Sequence, residues 1–322
     1  MSVNKIYLQI AGNCGNQFFQ YAFARSLQEK LGGELYIDYS YVLHDKDAAR
    51  LGSEDLLREF NTVQYIDTDN RLVREFSFQR KLIQYIESKI RKKRLEIGSY
   101  AKYCYIKKWS QFLEIIGICY FLDSYREFNI PKWCKKIYIQ GYFESPKYFE
   151  DINASIVKEL FPKNELLDKN RNLKDIIDRT ESVCVSIKRM DLDVDDIADM
   201  YAYDIRYYYG AVEYFNNHIE HPVYVIFSDD VSWCKENFKI EGEVYYEESD
   251  NPMWEKIRLM SACKYFVIRN STFSWWVQHL STREGKKTIA PCQWLNKEQP
   301  IDIYEDGWIY MDDAGNLMPN HL

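Results

Sequence analysis

"KIYLQIAGNCGNQFFQYAFARSLQEKLGGELYID" runs from Lys5 to Asp38. Its opening "KIYLQI" alternates apolar and polar residues and reads as a strand. Gly12 to Gly15 are expected as a loop. From Gln17 onward, Phe19, Phe23, Leu27 and Leu31 recur at every fourth position, the stripe of a helix. Gly32 and Gly33 stop that helix, and "ELYID" supplies a second strand. A strand–helix–strand unit of this size joins parallel strands, so the chain is expected to be α/β.

The same alternation returns in the second half. Strands are expected at "VCVSIK" (183–188), "PVYVIFS" (222–228), "EVYYE" (243–247), "YFVIRN" (265–270) and "KKTIAP" (286–291). Helices fall between them, near 204–217, 231–238, 253–263 and 272–281. "KIYIQGYFES" (Lys136 to Ser145) reads as a returning strand and loop. The middle, about residues 50 to 135, is polar and helical in pattern and resists ordering. There is no internal repeat. A division near 160–170 gives two α/β halves, 1–165 and 166–322.

The 322 residues are 46% hydrophobic and 28% charged, an ordinary globular balance. Net charge is −7, which excludes a general nucleic-acid binder. One segment departs from that balance. "SKIRKKRLE" (Ser88 to Glu96) packs five basic residues together. It reads either as a solvated helix face or as a contact for an anionic membrane surface or a phosphate-bearing acceptor. Eight cysteines lie scattered without a C-x-x-C or a His/Cys cluster, against a zinc site and a disulfide framework. "MSVNKIYLQI" lacks the pattern of a signal peptide, and "FLEIIGICYFL" (Phe112 to Leu122) is far too short to span a bilayer. A reducing cytoplasmic setting is expected, with peripheral contact at the inner face of the membrane as one reading of the basic segment.

In open parallel sheets, ligands bind beyond the carboxyl ends of the strands. The residues that follow the expected strands are small, polar or cationic. They are "AGNCGNQ" after the first, Lys188, Arg189, Met190 and Asp191 after "VCVSI", and Ser228, Asp229 and Asp230 after "VYVIF". Arg269, Asn270, Ser271, Thr272 and Ser274 follow "YFVI" and open a helix. Cations and a helix N-terminus suit a pyrophosphate, and a carboxylate suits guanine N–H groups or an arginine. The pattern fits a nucleoside diphosphate.

Rival readings fare worse. Gly12-x-x-Gly15 with Asp38 ending the next strand imitates a dinucleotide fold. Cys14 and Gln17 stand where that fingerprint wants glycine. "DLDVDD" (Asp191 to Asp196) imitates a calcium loop, but its sixth position is Asp196 and its twelfth Ala202. Asp229 and Asp230 offer themselves as Mg²⁺ ligands beside a sugar nucleotide. Trp275 and Trp276 read as core more readily than as a sugar platform.

The blocks "GNCGNQFFQYAFA", "GYFESPKYF", "VSIKRMDL", "YVIFSDDVSWCKENF" and "LMSACKYFVIRNSTFSWW" resemble, in order, those of the bacterial α-1,2-fucosyltransferases, glycosyltransferase family 11. With Ala11 and "IAPCQW" (289–294) counted, they span Ala11 to Trp294. The resemblance implies a GT-B fold, two Rossmann-like domains with parallel sheets facing across a cleft. It implies an acceptor side at 1–165 and a GDP-sugar-binding domain at 166–322. It also implies an inverting, metal-free enzyme without a cofactor that moves L-fucose from GDP-β-L-fucose to the 2-hydroxyl of a terminal galactose. The partners implied are the GDP-sugar donor and a galactose-terminated glycan or lipid-linked oligosaccharide acceptor.

Carried over residue by residue, Gly15, Asn16 and Gln17 resemble the family's G-N-Q loop at the donor. Ser228 to Asp230 resemble the nucleoside-binding strand end, and Asn270, Ser271, Thr272 and Ser274 the helix start that cradles the donor. The family's H-x-R-R-G-D block reads here Ser186, Ile187, Lys188, Arg189, Met190, Asp191. Arg189 and Asp191 match; the histidine is Ser186, the first arginine Lys188 and the glycine Met190. Lysine keeps the charge and loses the planar, two-pronged grip on phosphate. Arg269 stands where a small residue is usual and is a candidate to make up for Lys188. Val277 stands where a glycine usually follows the tryptophan pair. Arg189, Lys188 and Asn16 are the expected catalytic residues. His44, Glu144 and Asp38 are candidates, by location alone, for a base at the acceptor hydroxyl. The divergent block leaves open a different GDP-sugar, or a protein that binds GDP-sugars or glycans without turnover.

Overall fold

The computed structural model describes residues 4–44, 54–68, 70–96, 98–122, 124–189, 204–248, 250–295 and 298–321. The chain forms two units. The first holds Met1–Arg58, Thr62–Glu159 and Lys297–Tyr304; the second holds Glu59–Asn61, Leu160–Asn296 and Glu305–Leu322.

In the first unit the described strands are β1 (Lys5–Gln9), β2 (Glu34–Asp38), β3 (Ile66–Asp67), β4 (Ile118–Phe121) and β5 (Lys136–Gly141). They form one sheet in the order β3-β2-β1-β5-β4, with every pairing parallel. Ile6, Tyr7 and Leu8 of β1 are fully buried, as a central strand covered on both faces must be. Helix α1 spans Cys14–Leu31 and is buried on almost every side from Cys14 to Leu27. That accounts for its lack of a polar face. Arg25 is the buried charge inside it. Its guanidinium meets Glu159 at 3.0 Å, and Tyr21 donates to the same carboxylate at 2.6 Å, so the buried charge is paired.

The middle of the chain resolves into helices α2 (Ser77–Lys92) and α3 (Tyr100–Leu113). The apolar run at 112–122 is the end of α3 followed by β4, whose four residues are all buried. Asp38 differs from its reading as a base candidate. It is 1% exposed, Tyr7 donates its hydroxyl to Oδ2, and the Ser40 N–H donates to Oδ1 at 2.9 Å. Its carboxylate is engaged inside the fold.

In the second unit the strands are β6 (Glu181–Ile187), β7 (Pro222–Ser228), β8 (Glu243–Tyr246), β9 (Tyr265–Val267), β10 (Lys287–Pro291), β11 (Ile309–Met311) and β12 (Leu317–Met318). Their order is β12-β11-β10-β9-β6-β7-β8, parallel except for β12 against β11. Helices α4 (Arg171–Arg179), α5 (Ile205–His218), α6 (Val231–Asn237), α7 (Met253–Ala262) and α8 (Thr272–His279) complete the alternation. The core gathers Val183, Val185, Tyr208, Phe215, Tyr224, Ile226 and Val267. Trp275 and Trp276 are both fully buried, in agreement with their reading as core. All eight cysteines are free thiols, seven of them buried.

Candidate functional site

Strand order fixes where a site forms. In the second unit the chain runs outward through β6, β7 and β8, then returns to place β9 on the other side of β6. The topological switch therefore lies between β6 and β9. Val185 of β6 registers with Val267 of β9, and Ile187 with Ser228 of β7. The residues just past these ends are Lys188 and Arg189, Asp229 and Asp230, and Arg269 and Asn270. The fold brings them to one edge.

They are tied to each other. Arg269, 5% exposed, donates from Nη1 to the Lys188 carbonyl at 2.8 Å, bridging the switch. The Arg189 N–H donates to Asp229 Oδ1 at 2.7 Å. The Arg189 guanidinium lies 3.8 Å from the centre of the Trp233 ring, a cation–π stack. Asp230 caps α6 by accepting the Trp233 N–H at 2.9 Å. Ser228 Oγ accepts the Asp230 N–H at 3.0 Å. Asp229 and Asp230 thus turn to two different main-chain donors. Among the described residues no three His, Cys, Asp or Glu side chains form a metal cluster.

Asn270, 4% exposed, spends Nδ2 on the Trp294 carbonyl at 3.0 Å. Its Oδ1 is buried without a hydrogen-bond partner among the described residues. Ser271 precedes α8, and its side chain makes no cap bond. Thr272 opens the helix, half-buried. Ser186 and Ser274 are buried, and their hydroxyls bond each other at 2.8 Å. That pair stitches β6 to α8 and uses hydrogen-bonding capacity that the sequence reading reserved for the donor. Tyr207 fixes the next strand ends by donating to the carbonyls of Ile268 at 2.5 Å and Ile289 at 3.2 Å. Burial pushes its phenol well above the usual value, so it stays a donor. Met190 and Asp191 lie outside the described residues.

The first unit has its own switch, between β1 and β5. The loop after β1 enters α1 there, and the helix begins at Cys14, inside the expected loop of Gly12 to Gly15 and ahead of the expected start at Gln17. Gly15, Asn16 and Gln17 therefore sit in its first turn. The position that demands glycine is Gly12, with φ +73°, where a Cβ would stand 2.5 Å from Asn16 Nδ2. Gln17 is fully buried. Its Nε2 donates to Gly12 O at 3.1 Å and Glu54 O at 2.6 Å, and its Oε1 accepts from Leu56 N at 3.3 Å. Gln17 holds the 54–56 segment to the loop. Gln20 clamps Ala11 through both N–H and carbonyl.

Glu144 follows β5 at the same edge, half-buried. Phe143 before it has φ +54°, a left-handed conformation unusual for an aromatic residue, while its ring stacks on Phe23 at 4.2 Å. The described part of His44 ends at its place in the short helix Ser40–His44.

The sequence model of glycosyl transferase family 11 matches residues 5–312. The chain belongs to glycosyl transferase family 11. Among curated relatives of this family 11 chain, the alpha-1,2-colitosyltransferase of Escherichia coli is 30% identical over 183 residues, 53% of this chain and 61% of that protein. The O-antigen biosynthesis glycosyltransferase WbnK of Escherichia coli is 27% identical over 326 residues, 94% of this chain and 99% of that one. Human galactoside alpha-(1,2)-fucosyltransferase 1 is 28% identical over 113 residues, 33% of this chain and 31% of the human protein.

Among solved structures, NodZ alpha-1,6-fucosyltransferase co-crystallised with GDP aligns with a TM-score of 0.53 at 12% identity, covering 99% of this chain and 98% of that one. A mutant of Arabidopsis thaliana FUT1 in complex with GDP aligns with a TM-score of 0.51 at 10% identity, covering 89% of this chain and 70% of that one. At these identities the likeness is one of fold. The family 11 chain has the GT-B fold, built from two Rossmann-like α/β units.

Sequence reasoning missed Trp233, Tyr207 and Gly12 as shapers of these edges. Trp233 was legible in principle, since Asp230 as an N-cap puts it in the first turn of α6. The Arg269 bridge was not, because its partner is a carbonyl 81 residues away.

Proposed function

We propose that this glycosyltransferase moves L-fucose from GDP-β-L-fucose to the 2-hydroxyl of a terminal galactose, forming an α-1,2 linkage with inversion. The second unit is taken as the donor-binding unit and the first as the acceptor-binding unit. The observation that carries the reading is the switch-point cluster. Lys188, Arg189 and Arg269 bring three cationic side chains to one edge, and Arg269 and Asp229 fix the main chain that carries two of them.

The acceptor oxygen attacks C1 of the sugar while the bond from C1 to the β-phosphate oxygen breaks. GDP departs, and the hydroxyl proton leaves with a base or water. Negative charge grows on the β-phosphate. Arg189 and Lys188 stabilise it, which is the dominant catalytic effect. Asn270 Oδ1, a buried acceptor without a partner among the described residues, suits a hydroxyl of the GDP-sugar. No metal is assigned to the site; Oδ1 of each aspartate beside the cluster accepts a main-chain N–H.

A different donor sugar is the second reading, favoured by the colitosyltransferase relative and by Ser186 and Lys188 in place of histidine and arginine. Colitose is L-fucose without its 3-hydroxyl. Competition between GDP-fucose and GDP-colitose for galactosyl acceptors, read as GDP release, decides between them. Arg189→Ala is expected to lower kcat by about 100-fold or more. Near-normal turnover of that folded variant overturns the assignment. GDP binding without release from either donor leaves only a binding protein.

A further inference from the structure

We propose that the outer face of α2 docks the first unit onto an anionic lipid surface. The helix buries Ile83, Ile86 and Ile90. At 3.6 residues per turn, Phe78, Lys81, Tyr85, Lys89 and Lys92 fall on the opposite side. Phe78 is 64% exposed and Tyr85 50%. Lys89 Nζ lies 5.0 Å from the centre of the Tyr85 ring. The single acid of the helix, Glu87, is turned inward and accepts from Gln140 Nε2 at 3.4 Å. The outward stripe is therefore two large aromatic rings among lysines, with no carboxylate.

One exposed ring is ordinary, but two large rings on one lysine-lined face without a carboxylate point to a contact. At a bilayer the arrangement makes sense. Aromatic rings settle at headgroup level, and lysine stems let the ammonium groups reach lipid phosphates. The charge is local. Residues 77–113 hold ten of the chain's 42 Lys and Arg and only two of its 49 Asp and Glu. The exposed Arg91 and Lys92 end the helix, and the exposed Lys93 and Arg94 follow it. In α3, Tyr100 is 55% exposed and Phe112 60%, with Lys107 and Lys108 exposed between them. A protein with net charge −7 is repelled by an anionic surface unless it meets that surface with such a patch. Among the described residues no helix is long and apolar enough to cross a membrane, so the contact is interfacial.

The test is flotation with vesicles of one part phosphatidylglycerol to two of phosphatidylcholine, against pure phosphatidylcholine. The natural chain is expected to float with the first and not the second, and to be released by salt. Each surface lysine contributes about fivefold in affinity. The K81Q/K89Q/K92Q variant should therefore bind about 100-fold more weakly, and F78S/Y85S should also lose binding. Both should keep the natural thermal melting profile and GDP titration. The flotation needs no nucleotide, so its result is independent of the donor reading. The proposal is overturned by any of four results: no binding to anionic vesicles at low salt, equal binding to both vesicle types, undiminished binding by the lysine variant, or release by millimolar inorganic phosphate at constant ionic strength. The last result would mark a discrete phosphate site instead of a lipid surface.

Discussion

Asp229→Ala tests whether the edge of the second sheet is built for a diphosphate. Asp229 Oδ1 accepts the Arg189 N–H at 2.7 Å, so removal frees the turn that carries the cation stacked on Trp233. A hydrogen bond to a charged acceptor contributes about 1.5–3 kcal/mol. If that energy goes into fixing Arg189, GDP affinity should fall between about tenfold and 150-fold. Asp229→Asn keeps an acceptor without the charge and should fall in between. The assay is calorimetric titration with GDP, with and without Mg²⁺, on variants whose melting profile has been checked. Natural protein should bind GDP equally well in both buffers. A variant within twofold of natural affinity refutes the reasoning. So does a Mg²⁺ dependence that the substitution abolishes, because it would make Asp229 a metal ligand instead of a clamp.

Other consequences follow from the same geometry. Trp233→Leu removes a cation–π stack of about 0.5–2 kcal/mol and should lower kcat roughly twofold to 30-fold. The same change in an Arg189→Ala background should have no further effect, which a double-mutant cycle measures. Gly12→Ala should cost about 1–2 kcal/mol in denaturant unfolding, because its φ of +73° is left-handed. In the second unit, burial raises the Glu305 carboxyl, but bonds from His279 and Gln278 and the charge of Lys286 outweigh it and leave the group below its usual value. Its stabilisation is then complete above its unfolded pKa of about 4.3 and is lost as pH falls through the lower folded value. Glu305→Gln should flatten the acid limb of stability below about pH 4, and an unchanged limb would remove Glu305 from that role.

The sequence carried the strands well. The stretch 222–228 was read as a strand and forms β7 over the same residues, because parallel strands are continuous apolar runs between polar ends. The helices at 253–263 and 272–281 were placed within two residues of α7 and α8. The tail strands β11 and β12 were missed, being only three and two residues long. β4 was hidden in a run that period alone could not divide between helix and strand. The residues at the carboxyl ends were legible for one reason: chain order and strand polarity put them there whatever the side chains do.

Sequence alone fixed two parallel-sheet α/β units and a cationic, hydroxyl- and amide-rich edge, because both follow from hydrophobic period and local spacing. Only the tertiary structure decided what each polar group does. It set Ser186 against Ser274, spent Gln17 on the 54–56 segment, and engaged Asp38 with Tyr7. It turned Asp229 toward the Arg189 main chain and Arg269 toward Lys188. Hydrogen bonds require atoms within about 3 Å, and partners 31 to 88 residues apart are brought that close only by strand order and register.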